Sequence, residues 1–133
     1  MNERSTKEWT AKADRDLKIG KDEFATEDPA TDMICFHMQQ CVEKYLKAFL
    51  IFHGKEIRKT HIIEELIREC TEINSSFQQL FEIKAHTLTD FAVELRYPSY
   101  VSLPSNEETK EAIEITKKVR QFVLNKLKEK GFK

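Results

Sequence analysis

Apolar residues recur at intervals of three and four over nearly the whole of this chain, with charged residues between them, the period of helices that bury one face. Near the N-terminus Trp9, Ala13, Leu17, Gly20 and Phe24 form one such stripe, and Ser5 with Glu8 has the spacing of a capping box, so a first helix is predicted to run to about residue 25. Asp28 followed by Pro29 marks the next start, because proline is pre-set for the first helical position and aspartate can accept from unpaired amides. This second helix is predicted to continue to Gly54. Thr60 is the expected cap of a third, whose Ile63, Leu66, Ile67, Cys70 and Ile73 share a face, and Asn74, Ser75 and Ser76 interrupt it. Phe77, Phe81, Leu88, Phe91 and Leu95 then predict a short turn followed by a longer helix that Pro98 ends. Residues 98–106 read as a loop, and Ser105 with Glu108 as a second capping box that opens the last helix. Its glutamates come early and its lysines late, as the helix macrodipole favours.

Short connections between long amphipathic helices predict an all-α fold, an up-and-down antiparallel bundle of four main helices plus one shorter helix, in a single domain over residues 1–133. Composition adds mostly exclusions. Charged residues make up 34 % of the chain, but 22 basic residues stand against 23 acidic ones, so no overall field drives it onto nucleic acid or anionic lipid. Three cysteines, Cys35, Cys41 and Cys70, give neither an even disulfide framework nor a C-x-x-C pair, and no signal-peptide pattern opens the chain, so a cytoplasmic location is expected. The longest uncharged run, Met33 to Val42, is far short of the roughly 20 residues that span a bilayer, and no membrane contact is expected. With glycine only at 20, 54 and 131, neither a phosphate-cradling loop nor a dinucleotide fingerprint can be written, and no cofactor is predicted.

The second helix carries the first candidate chemistry, in the stretch CFHMQQCVEKYLKAFL from residue 35 to 50. At 100° per residue Cys35, Met38, Val42, Leu46 and Phe49 form a core seam, while His37, Gln40 and Lys44 fall together on the opposite side. That side also holds Met33 and Ile51, so it is expected to be covered, either by the bundle's own helices or by a second copy of the chain. His37 and Cys41 have the spacing of two metal ligands, but no second pair completes a four-ligand set, and ordinary packing is the stronger reading. The second candidate is ELRYPSY, residues 94–100. Arg96 offers a planar fork suited to phosphate or carboxylate, Tyr97 and Tyr100 offer stacking faces, and Pro98 fixes the turn. The plain alternative pairs Arg96 with Glu94 or Asp90 and lets the tyrosines cover the bundle's end.

Trp9, the pair Asp16–Leu17, the pattern F-H-x-Q-Q-x-x-E-K-x-L-K-A from Phe36 to Ala48, His61, and Arg96-Tyr97-Pro98 together resemble, in this order, the HEPN domain (higher eukaryotes and prokaryotes nucleotide-binding). The resemblance implies a small helical bundle, commonly a homodimer, often paired with a minimal nucleotidyltransferase in toxin and antitoxin systems. Several members are metal-independent ribonucleases with an arginine followed, four to six residues on, by a histidine. Arg96 matches that arginine, but no histidine follows it, and Tyr100 stands only roughly in its place. Tyrosine, with an ordinary pKa near 10, is a poor general base at neutral pH. The expectation is therefore a non-catalytic module that binds a nucleotide, RNA or a nucleotidyltransferase, through Arg96, Tyr97, Tyr100, His37, Gln40 and Lys44. The alternatives are a ribonuclease toxin with a divergent site and a scaffold subunit without ligand.

Overall fold

The computed structural model describes residues 2–92 and 103–133. Its elements are helix α1 (Glu3–Phe24), α2 (Thr31–Phe52), α3 (Ile63–Ile73), a 3-10 turn (Ser75–Gln78), the single turn α4 (Gln79–Glu82), a 3-10 segment (Ala85–Phe91) and the long α5 (Asn106–Glu129). The fold is an all-α bundle. The predicted stripe of α1 is its buried face, with Ala13, Leu17 and Gly20 inside and Trp9 and Phe24 at the margins. The predicted seam of α2 is fully buried, every one of Cys35, Met38, Val42, Leu46 and Phe49 at 1 % exposure or less.

Helix α2 is the axis on which α1, α3, the 3-10 segment and α5 pack. Antiparallel to it lies α1: the side-chain amide of Asn2 donates to the Ile51 carbonyl at one end (2.8 Å), and the Glu23 carboxylate accepts from the Ala30 amide at the other (2.9 Å). Helix α5 runs in the same sense as α2, with Cys35 near Thr109 (3.7 Å) and Phe52 edge-on to Phe132 (5.9 Å). After Gly54, whose φ of +78° suits a residue without Cβ, the chain turns back. His61 thereby lies beside Glu43, about two and a half turns before α2 ends, and α3 sets out again from there. Cys70 then reaches the Leu46 carbonyl, and Phe77 packs on Phe49 with centroids 4.3 Å apart. Because α1, α3 and α5 wrap it, α2 is buried almost all round, Ile34, Tyr45, Leu46 and Leu50 included.

Helix ends show where tertiary contacts override local signals. The Ser105–Glu108 capping box forms as predicted, each residue's backbone amide held by the other's side chain. Ser5 and Glu8 make no such box: α1 starts two residues earlier, at Glu3, beside the Asn2 that is tied to α2. Asp28 and Pro29 precede α2 without capping it, since the Ala30 amide is taken by Glu23 of α1. Thr60 likewise stops short of capping. Its hydroxyl accepts from the Ile62 amide (3.1 Å), and the first amide of α3, at Ile63, donates instead to the Thr89 hydroxyl (2.9 Å) from the distant 3-10 segment. Asn74 breaks α3 as expected, its side chain accepting from the Ser76 amide (3.0 Å). Lys84, at φ +64°, separates α4 from the 3-10 segment, so the predicted longer helix does not begin within residues 85–91. Its continuation toward Pro98 lies outside the described residues.

At Gly20 the α1 backbone lies close against α2. A Cβ there would stand 2.3 Å from the Met38 methyl and 3.5 Å from Ile34 Cγ2. Gly20→Val is expected to lower the unfolding free energy by about 1–3 kcal/mol through overpacking, read from urea melts at constant m-value; an unchanged midpoint would mean that the Met38 methyl moves aside at no cost to the packing.

Candidate functional site: two carboxylates flanking the central helix

Asp16, at 6 % exposure, lies on the side of α1 that meets α2. Its Oδ1 accepts from His37 Nδ1 (2.7 Å) and its Oδ2 from Lys44 Nζ (2.6 Å). His37 and Lys44 are two turns apart on α2, so one carboxylate ties two successive points of the helix's polar flank to α1. Their side chains keep 24 % and 23 % of their exposure, which makes the flank a half-open ledge.

The second carboxylate, Glu43, lies within α2 itself and is 4 % exposed. Its Oε1 accepts from Gln39 Nε2 (3.0 Å) and from His61 Nδ1 (2.9 Å), and its Oε2 from Lys47 Nζ (2.7 Å). Gln39 also donates to the His61 carbonyl (3.1 Å) and accepts from Gln40 Nε2 (2.8 Å). Trp9 of α1 closes this set on the far side, its ring centroid 6.0 Å from Lys47 Nζ. A carboxylate so buried is tolerable only with such partners. The His61 side chain, 39 % exposed, is where the network meets the surface.

A third arrangement joins α1, α2 and α5. Asp14 accepts from the Tyr45 hydroxyl and from Arg120 Nε (2.8 Å). Burial, reinforced by the bond to Asp14, pushes the Tyr45 hydroxyl well above its ordinary range, and the bond to Asp14 raises Arg120 further. The three cysteines are buried and form no disulfide, and burial holds the Cys41 and Cys70 thiols far above the range in which thiolate forms. No three His, Cys, Asp or Glu side chains converge as metal ligands among the described residues.

Of the residues singled out from the sequence, His37 and Lys44 are brought together, on Asp16. Gln40 belongs instead to the Glu43 network. Arg96, Tyr97 and Tyr100 lie outside the described residues. Sequence reasoning missed Asp16, Glu43 and His61 as a set. The available signals were an aspartate next to Leu17 at the edge of an apolar stripe and a Gln39, Glu43, Lys47 series at spacings of four.

Among protein families, the model of the HEPN domain matches residues 6–128, nearly the whole chain. The chain belongs to the HEPN domain family. No curated protein and no solved structure gives a match. Among the described residues of this HEPN protein, no helix is long and apolar enough to cross a membrane.

Two outcomes follow from the buried groups. Glu43→Gln removes the charge that Lys47 and His61 share, and is expected to cost about 3–5 kcal/mol in urea unfolding; a loss below about 1 kcal/mol would show the network to be solvent-screened. His53, whose Nε2 is buried without a partner among the described residues, is held below its ordinary 6.5 by burial and then by the charge of Lys130. The native state thus disfavours the protonated ring, the unfolded chain binds more protons, and stability falls as pH drops from about 6.5 toward the lower native value. His53→Gln should flatten that part of the stability profile, and an unchanged slope between pH 7 and 5 would contradict it.

Proposed function

We propose that this HEPN chain is a non-catalytic module that binds a nucleotide, an RNA or a nucleotidyltransferase partner, as one member of a cytoplasmic pair of the toxin–antitoxin type. The observation that carries the reading is the half-open ledge of His37 and Lys44, oriented by the buried Asp16, with Gln40 between them along α2. Donors held in place, His37 and Lys44 by the neighbouring helix and the Gln40 amide by Gln39 of its own, suit an anionic or heterocyclic ligand at little ordering cost. Arg96, Tyr97 and Tyr100 would complete the site with a guanidinium and two stacking faces. Absence of any histidine after Arg96 in the sequence supports a binding role over cleavage.

The same side favours a homodimer. Ile19 is one turn from Asp16, and Met33 one turn from His37, and these two large apolar side chains are 50 % and 47 % exposed. A second copy laid across them would remove apolar area from water next to the polar ledge.

One observation favours a second reading, a ribonuclease with a divergent site. The Glu43–His61 pair is a carboxylate-backed imidazole at the surface, the form in which histidine serves as general acid or base near neutral pH.

Titration of a labelled oligoribonucleotide and of a fluorescent nucleoside triphosphate tests the first reading. Saturable binding is expected, about tenfold weaker in Lys44→Ala, with RNA left intact in a chelator-containing buffer and a dimer in sedimentation at micromolar concentration. Cleavage that disappears in His61→Ala would replace this reading with the second; absence of binding together with a monomer would end it.

A further inference from the structure

On α1, Asp14 and Asp16 are about 200° apart, so the flank carrying Asp14 faces away from the ledge and toward α5. Between α1 and α5 on that flank lies an open groove of about 500 Å³, lined by Asp14, Leu17, Lys18, Lys21 and Asp22 from one wall and Lys117, Arg120 and Gln121 from the other. We propose that this groove is a separate site for a ligand carrying two or more successive phosphates.

Charge and geometry both point that way. The walls hold four cations and two carboxylates, and both carboxylates are engaged. Asp22 takes Lys18 (2.6 Å), and Asp14 takes Arg120 Nε together with the Tyr45 hydroxyl. Lys21 makes no ion pair among the described residues, and Lys117 has only an exposed contact to Glu114 at 3.3 Å. The lining side chains alone therefore sum to two net positive charges, carried on opposite walls by Lys21 and by Lys117, the latter shared at the surface with Glu114. Arg120 is the fixed point between them. Asp14 engages its Nε and is itself held by a buried tyrosine, so the guanidinium is oriented while part of its five-donor fork remains for a second acceptor. A single carboxylate would satisfy one wall only. Phosphates in series, spaced along an open channel, match cations on both walls and one planar fork between them. The volume lies within the range of small-ligand sites.

The proposal rests on the reading of the chain as a nucleotide- or RNA-binding module only for the source of the phosphates, a free nucleotide or a nucleic-acid backbone. Calorimetric titration with inorganic tripolyphosphate, a nucleoside triphosphate and a short single-stranded oligoribonucleotide tests it on the full chain. The variant is Lys21→Glu with Lys117→Glu, two exposed side chains that can be reversed without touching the Asp14–Arg120–Tyr45 set. Its charge-matched control is Lys128→Glu with Lys130→Glu, at the far end of α5. The groove variant is expected to bind at least about tenfold more weakly. For the oligomer its log–log salt slope should fall by about 1.4, at about 0.7 for each phosphate that is no longer neutralised, with the control near wild type. Preference for the triphosphate identifies a nucleotide as the source and preference for the oligomer a backbone; either supports the site. No binding of any of the three, an equal loss in the control, or a poly-glutamate peptide binding as tightly as tripolyphosphate would overturn it. Binding that is lost in Lys44→Ala but kept in the groove variant would refute the groove and leave the ledge standing.

Discussion

Everything in this bundle depends on holding a helix with polar groups on more than one side in the middle of a protein. Helix α2 is enclosed by α1, α3 and α5, yet its sequence carries His37, Gln39, Gln40, Glu43, Lys44 and Lys47. Burying such groups without partners would cost more than a small domain's whole margin of stability, at about 1–3 kcal/mol for each unsatisfied neutral group and more for a charge. Two carboxylates solve the problem. Asp16 reaches in from α1 to take His37 and Lys44, and Glu43 collects Gln39, Lys47 and His61. The first is a contact between helices and the second lies largely within one helix, so the two act differently. Asp16 sets how α1 lies against α2, while Glu43 fixes where the chain returns after Gly54, because His61 has to arrive beside it.

This explains which parts of the structure were legible in the sequence. The apolar stripes of α1, α2 and α3 follow from periodicity, since burial of one face is a property of the helix itself. The Ser105–Glu108 box was equally legible, being a local motif whose donors and acceptors lie within four residues. Ser5, Asp28 and Thr60 misled for the opposite reason. At each of those helix starts a residue from elsewhere supplies the contact that counts: Ile51 for Asn2, Glu23 for Ala30 and Thr89 for Ile63. Local spacing carries no information about such partners.

The polar stripe of α2 was visible, and so was the need for something to cover it. That α1 does much of the covering, through Asp16, was not visible, because an aspartate at the edge of an apolar stripe reads equally well as a solvated residue. Once the networks are seen, the family pattern acquires a physical sense. Trp9, Asp16, His37, Gln39, Gln40, Glu43, Lys44, Lys47 and His61, which carried the resemblance or stand inside its central pattern, are the members of the two networks. In this chain those residues keep a charged central helix in a core. On the proposed ledge, the His37 and Lys44 side chains that would meet a ligand are the same ones that tie α2 to Asp16 of α1.

The claim that Asp16 and Lys44 form a sheltered pair within one subunit is tested most directly by a double-mutant cycle on Asp16→Ala and Lys44→Ala, measured by urea unfolding at low salt and again at about 1 M salt. The account predicts a coupling of about 1.5–3 kcal/mol that persists at high salt, as expected of a pair withdrawn from solvent. A coupling below about 0.5 kcal/mol, or one that vanishes as salt is added, would mark the pair as an ordinary surface contact and contradict the account.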